Sequence, residues 1–256
     1  TPEGVTLSRH PSYTPQFIPT FSLWYIGMLQ DYSRYGADTD FVKGKMGGVR
    51  QILEYFKSFQ QADGRLKNTP QWMFTDWVDN QKEWKAGAGP MSVNGTSAVL
   101  DFQLLWAYQV AADLETKLGN PAFANQYLQA AEVLKKTIRT KYWDATKKLF
   151  ADREEKDEFS QHTNSLAILT GIVTSLEAVE ISNQLITNNQ LTPASIYFKY
   201  YLHQALIKAG KGNDYLKWLD KWRENIQMGL TTWAETSDVD KTRSDCHAWG
   251  SSPNIE

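Results

Sequence analysis

The chain has 256 residues, 41% hydrophobic and 22% charged, with a net charge of −2. That composition suits a folded domain with a sizeable core and excludes a disordered chain. The near-neutral balance offers no basic field for nucleic acid or an anionic membrane surface, and no apolar run is long enough to cross a bilayer.

The predicted elements are almost all helical. Residues 19–35 place apolar side chains at Phe21, Trp24, Tyr25, Met28 and Leu29, the spacing of one helix face. A second helix is expected over 39–61, opened by Thr39-Asp40 and ended near Asp63-Gly64. The sequence GKMGG at 44–48 falls inside that pattern and lacks the Lys-Ser/Thr of a phosphate loop. The strongest pattern covers 96–118 and closes at Gly119, and Pro121 suits the first turn of the next helix, 121–141. Asn94-Gly95-Thr96 is formally a glycosylation acceptor and reads more simply as a cap of the 96–118 helix. Alternation over 142–151 predicts a short β-hairpin, and the polar run 152–158 reads as a solvated loop. Further helices are expected at 162–172, 175–187, 193–209 and 213–226, with another beginning in 242–250. The absence of strand–helix alternation argues against a doubly wound sheet.

Loop lengths carry more information than the helices. Short connections at 36–40, 119–121, 173–175 and 211–214 alternate with long ones at 62–95, 142–161, 188–192 and 227–241. Antiparallel helix hairpins joined in this way put the long loops at one end. Loops of such length in a compact domain usually serve function. The chain is 13% aromatic, with ten Trp, and half of the tryptophans belong to that end: Trp72, Trp77, Trp84, Trp143 and Trp233. Trp24, Trp106, Trp218 and Trp222 lie on helix faces as core candidates. The irregular spacing favours a closed ring of hairpins over an open solenoid. No internal boundary divides residues 1–256, which read as one helical domain.

Three segments carry candidate chemistry. In TTWAETSD (231–238), Glu235 stands two residues after Trp233, and an indole wall favours a carboxyl suited to proton transfer. The plainer reading is an exposed loop glutamate. In RSDCHAWG (243–250), Cys246 and His247 are neighbours in sequence, a poor geometry for a thiol–imidazole couple. His247 suits a polar ligand contact, and Ser244 or Asp245 equally suits a helix cap. In WMFTDWVDN (72–80), Asp76 beside Trp77 offers a hydroxyl acceptor next to a stacking face, with a turn and a buried Trp as the alternative. His10, His162, His203 and His247 lack metal-ligand spacing, so no metal or organic cofactor is expected. The opening TPEGVTLSRHPS has neither an initiator Met nor a signal pattern, as expected of a mature or excised piece. With the single cysteine Cys246, the compartment stays open, an extracytoplasmic one included.

The stretch TTWAETSDVDKTRSDCHAWGSSP, with PSYTPQFIPTFSLW near the start and FTDWVDN between, resembles the catalytic domain of bacterial α-L-rhamnosidases, glycoside hydrolase family 78. The likeness extends over essentially the whole chain and is most specific at 231–253. It implies an all-α fold, the (α/α)6 toroid or six-hairpin barrel. It matches Glu235 to the family's general base, His247 to a sugar contact, and Asp76 with Trp77 to the pair whose indole walls the rhamnose pocket. Asp245 and Trp249 share the motif as supports, and Trp233 joins Trp77 as a candidate for the wall of the sugar pocket. The family's general acid lies in an acidic motif with no equivalent here, and the chain stops before the toroid's last helices. The resemblance therefore implies a ring incomplete at both ends, inactive alone and completed by the rest of a parent polypeptide.

The expectation is inverting hydrolysis of terminal α-L-rhamnosides, with a carbohydrate as partner. The alternatives are a helical ring fragment or inactive homologue that binds sugar without cleaving it, and a helical repeat scaffold for protein partners.

Overall fold

The computed structural model describes residues 1, 3–36, 38–78, 83–236 and 246–247. Helix α1 (Pro19–Tyr35) begins at a proline, whose missing N–H is unneeded in a first turn. The pattern expected as one helix over 39–61 divides into α2 (Thr39–Lys43) and α3 (Met46–Lys57). The division falls at Gly44-Lys45, inside the glycine-rich stretch, where helix propensity is weakest. Asp38, not Thr39, accepts the capping bond from Phe41 N–H. Helix α4 (Ala98–Leu118) follows the first long loop, and α5 (Pro121–Tyr142) returns after a turn capped by Asn120. The hairpin forms as expected, with β1 (Trp143–Asp144) antiparallel to β2 (Leu149–Phe150) and Trp143 opposite Phe150.

Helix α6 (Gln161–Leu169) and α7 (Ser175–Thr187) make the next hairpin, α7 opening on a capping box of Thr174 and Glu177. Helix α8 (Lys199–Lys208) starts later than the 193 expected from the sequence. The intervening Ala194 and Ser195 N–H groups bond Gln161 and Asp76 instead of entering a helix. The 213–226 prediction resolves into a short 3-10 turn (Gly212–Asp214), α9 (Tyr215–Trp218) and α10 (Asp220–Gln227), interrupted at Leu219. The predicted start of a helix at 242–250 falls mostly outside the described residues.

Burial divides the helices into an inner and an outer row. Helix α4 is buried along nearly its whole length, and α6 is buried at every position from Gln161 to Ile168. Helices α3, α5 and α7 bury one face each. The inner row runs α1, α4, α6, α8, each packed on the next, with α3, α5 and α7 outside. This is the hairpin arrangement expected from the loop lengths. Trp24 stacks on Tyr201 at 4.1 Å and meets Trp106 edge-on at 4.8 Å, so one aromatic cluster links α1, α4 and α8. Gly27 makes room for it: a Cβ there would stand 2.2 Å from the Trp106 ring. On the outer side, fully buried Glu115 accepts both Arg50 Nε and Nη2, at 2.7 and 2.9 Å, and the Asn120 N–H at 2.7 Å. That carboxylate fastens α3 to the α4–α5 turn.

The long loops share one end and hold one another. Arg65 pairs with Glu154, Asn94 donates to Glu154 at 2.6 Å, and Arg153 pairs with Glu83 at 3.0 Å. Phe159 C=O accepts the Thr192 N–H at 2.9 Å, which joins the second loop to the third. The run 152–158 is therefore less solvated than its composition predicts. Asp152 is fully buried, and burial pushes its carboxyl up to about 6 against hydrogen bonds from Thr163 and Ser160. Burial also opposes ionisation of Glu154, but Asn94 and Arg65 outweigh it and hold the carboxyl at about 2.

Candidate active site

Two segments meet at the loop end: the first long loop and the stretch after α10. Trp77 donates its indole N–H to Glu235 Oε1 at 3.1 Å, across 158 positions of sequence. The second carboxylate oxygen lies 3.7 Å from His247 Nδ1. His247 is held there by its backbone N–H, which bonds Trp233 C=O at 2.7 Å. The Glu235 side chain keeps 14% of its surface open and that of His247 keeps 22%. The carboxylate is thus enclosed yet reachable by a water molecule. Burial lowers the His247 pKa below its ordinary value, with the Glu235 charge opposing, so the ring is neutral near pH 7. A neutral imidazole offers one donor and one acceptor.

Further aromatic rings pack around Trp77 and Trp233. Phe74 meets Trp77 edge-on at 4.9 Å, and Trp72 lies 5.9 Å from Trp77. Tyr197 stacks beside Phe74 at 6.3 Å, while Phe21 of α1 reaches Phe74 at 5.8 Å. Trp72 is pinned by its own N–H to Ala86 C=O at 2.8 Å. Trp233 is 44% exposed and contacts Trp222 edge-on at 5.1 Å. Phe74 is buried behind Trp77, so the partly exposed Trp72, Trp77 and Trp233 supply the apolar faces near the carboxylate and the imidazole, a combination suited to a polyhydroxylated ring.

The sequence residues divide here. Glu235, Trp77 and His247 are brought together, and Trp233 sits at their edge. Asp245 and Trp249 lie outside the described residues. Asp76 is placed differently from the hydroxyl-accepting expectation. It is fully buried, its Oδ2 accepts His162 Nε2 and Ser195 N–H at 2.7 Å each, and its Oδ1 accepts the Ser195 hydroxyl. With both oxygens engaged inside the protein, the Asp76 carboxylate faces inward and Trp77 faces the site. Two of the loop-end tryptophans also leave the site: Trp84 is buried against His162 at 4.5 Å, and Trp143 packs on Phe150 under Arg139.

Sequence reading missed His162, Ser195, Phe74 and Tyr197. In Gln161–Ser165, at the start of the helix expected from 162, all five side chains are polar or titratable. All five are buried. Their only sequence signal was that a polar run of that length adjoins a long loop.

Together the inner and outer helix rows and the loop-end cluster define a barrel of helix hairpins of the six-hairpin glycosidase class. A family profile described as the bacterial alpha-L-rhamnosidase 6 hairpin glycosidase domain matches residues 9–254, and the chain belongs to that family. A search of curated protein sequences finds no match. Among solved structures, a GH78 family rhamnosidase of Bacillus sp. GL1 superposes with a TM-score of 0.81 at 22% identity, over 96% of this chain and 27% of that one. A rhamnosidase from Klebsiella oxytoca with rhamnose bound also gives 0.81, at 19% identity, over 98% of this chain and 50% of that one. The α-L-rhamnosidase of Aspergillus terreus gives 0.73 at 17% identity, over 96% and 29%. At these identities the likeness establishes the fold, and the chain spans half or less of each of these structures.

Proposed function

We propose that the chain supplies the base side of an inverting α-L-rhamnosidase active site, with Glu235 as general base. The observation that carries this reading is the Glu235 carboxylate itself. It is partly open and held between the Trp77 indole N–H at 3.1 Å and the His247 ring at 3.7 Å. Glu235 removes a proton from a water that attacks the anomeric carbon. A carboxylic acid from outside these 256 residues protonates the leaving oxygen. That assignment rests on the absence of the family's acidic motif from the sequence.

Each neighbour has a distinct task in this reading. The indole of Trp77 fixes one carboxylate oxygen and gives the sugar a flat wall. His247 exchanges hydrogen bonds with sugar hydroxyls, and Trp233 adds an aromatic face at the rim. Asp245 and Trp249 support the His247 segment. Asp76 serves the substrate site through Trp77, its neighbour in the chain. The mechanism needs no metal or organic cofactor.

The test is Glu235→Gln in the polypeptide that contains this chain, assayed on an aryl α-L-rhamnoside. Loss of a general base lowers kcat by about 10²–10⁴-fold with the thermal midpoint unchanged. Undiminished turnover would remove Glu235 from the mechanism. A wild-type polypeptide that binds L-rhamnose without any turnover would instead establish the non-catalytic carbohydrate-binding alternative.

A further inference from the structure

His162 belongs to none of the motifs, yet it is fully buried at the root of the site. It stands in the first turn of α6, between the rings of Trp84 and Phe198, each centred 4.5 Å away. Its Nε2 meets Asp76 Oδ2 at 2.7 Å. Asp76 presents only acceptors there, so Nε2 carries the proton and donates. The other nitrogen, Nδ1, has no hydrogen-bond partner among the described residues. A buried polar atom left unpaired is destabilising, whereas an apolar ring would fill the space between Trp84 and Phe198 without that loss. Among the described residues, the side-chain hydrogen bond of His162 goes to the residue that precedes the wall indole.

The loop at Asp76 is held from two sides. Thr75 and Asp76 N–H groups both bond Gly87 C=O, at 2.7 and 3.1 Å. The Asp76 side chain is held separately by His162 of α6 and Ser195 ahead of α8. The next residue reaches Glu235. Starting from 3.1 Å, a displacement of about half an ångström takes the Trp77–Glu235 contact out of hydrogen-bond range.

We propose that His162 is a positioning residue for Glu235: by donating to Asp76 it sets the orientation of Trp77 and keeps the Trp77–Glu235 hydrogen bond formed. The inference rests on the reading of Glu235 as the base only for its catalytic meaning. The geometry it asserts stands apart from turnover. His162, Asp76 and Trp77 then form one line from the inner helix row to the reacting carboxylate.

The chain labelled with ¹⁵N-tryptophan tests this directly. The Trp77 indole resonance is identified by its loss in Trp77→Phe. In the wild type a bond to a carboxylate places its proton downfield, and Glu235→Gln moves it upfield. His162→Phe, which keeps an aromatic ring between Trp84 and Phe198 and removes the donor, is expected to move the same resonance upfield. His162→Gln, whose amide nitrogen reaches about as far as Nε2, returns it toward the wild-type position. A folded His162→Phe protein whose Trp77 resonance coincides with the wild type would overturn the proposal, whatever its melting temperature. Should His162→Phe fail to fold, His162→Asn carries the test. Its shorter donor must move the resonance, and an unmoved resonance would again overturn the proposal. If Glu235→Gln moves the resonance but leaves turnover intact, the base assignment fails while the positioning role of His162 stands.

Discussion

Replacing Asp76 separates the two roles open to it, sugar contact and internal anchor. In the structure its carboxylate accepts three hydrogen bonds, from His162 Nε2, Ser195 N–H and the Ser195 hydroxyl, and it is fully buried. Asp76→Ala removes the acceptor and leaves two donors, the imidazole and the amide, without partners in a closed environment. At about 1–3 kcal/mol for each stranded donor, with some further loss from the vacated space, the expected destabilisation is about 3–5 kcal/mol. For a domain of this size that lowers the melting temperature by roughly 6–20 °C. Asp76→Asn should cost about 1 kcal/mol. Its amide oxygen can accept from His162 and Ser195 N–H, and its amide nitrogen can donate to a rotated Ser195 hydroxyl. Differential scanning calorimetry on the two variants reads the difference, and calorimetric titration with L-rhamnose reads the site. The reasoning is refuted if Asp76→Ala melts within a degree or two of the wild type while abolishing rhamnose binding, because Asp76 would then serve the sugar and not the fold.

Two further outcomes follow from the packing and from burial. Gly27→Ala places a Cβ 2.2 Å from the Trp106 ring. Overpacking of that kind costs about 1–3 kcal/mol, offset by up to about 1 kcal/mol of helix propensity, so a melting temperature lower by up to several degrees is expected and a raised one contradicts the packing of α1 on α4. Burial pushes the Asp101 carboxyl up to about 7, against hydrogen bonds from the Leu66 N–H and the Tyr142 hydroxyl. The folded chain then holds this proton more tightly than the unfolded chain, so stability declines as pH rises from the ordinary aspartate range to about 7. Asp101→Asn should flatten that decline in a series of denaturant titrations across the interval. A variant with the wild-type slope would show that Asp101 does not contribute to it.

Legibility differed from element to element. Helix α7 matched its predicted bounds at both ends, because Thr174 and Glu177 form a capping box that local chemistry alone specifies. The α4–α5 turn was equally local, with Asn120 and Pro121 marking it. The start of α8 was illegible, since Ala194 and Ser195 favour a helix as readily as not and their N–H groups are claimed by Gln161 and Asp76 from distant segments. The split of α2 from α3 was signalled by glycines, but a weak propensity penalty leaves the outcome to packing. Among the site residues, Glu235 and Trp77 could each be nominated from their own neighbours. Their contact, 158 positions apart in sequence, could not.

Taken alone, the sequence determined the helical class, the alternation of short and long connections, the family resemblance and the end of the molecule where the candidate site residues gather. These follow from periodicity, caps and loop length, which are properties of adjacent residues. Tertiary structure decided which polar groups face inward. Asp76 looked like a sugar ligand because an aspartate beside a tryptophan is a common binding pattern, yet its carboxylate turns to His162 and Ser195. His162 looked unremarkable and proved to be the anchor of that carboxylate. Burial of a polar side chain depends on partners contributed by other hairpins, and only the assembled helix rows bring those partners within hydrogen-bond distance.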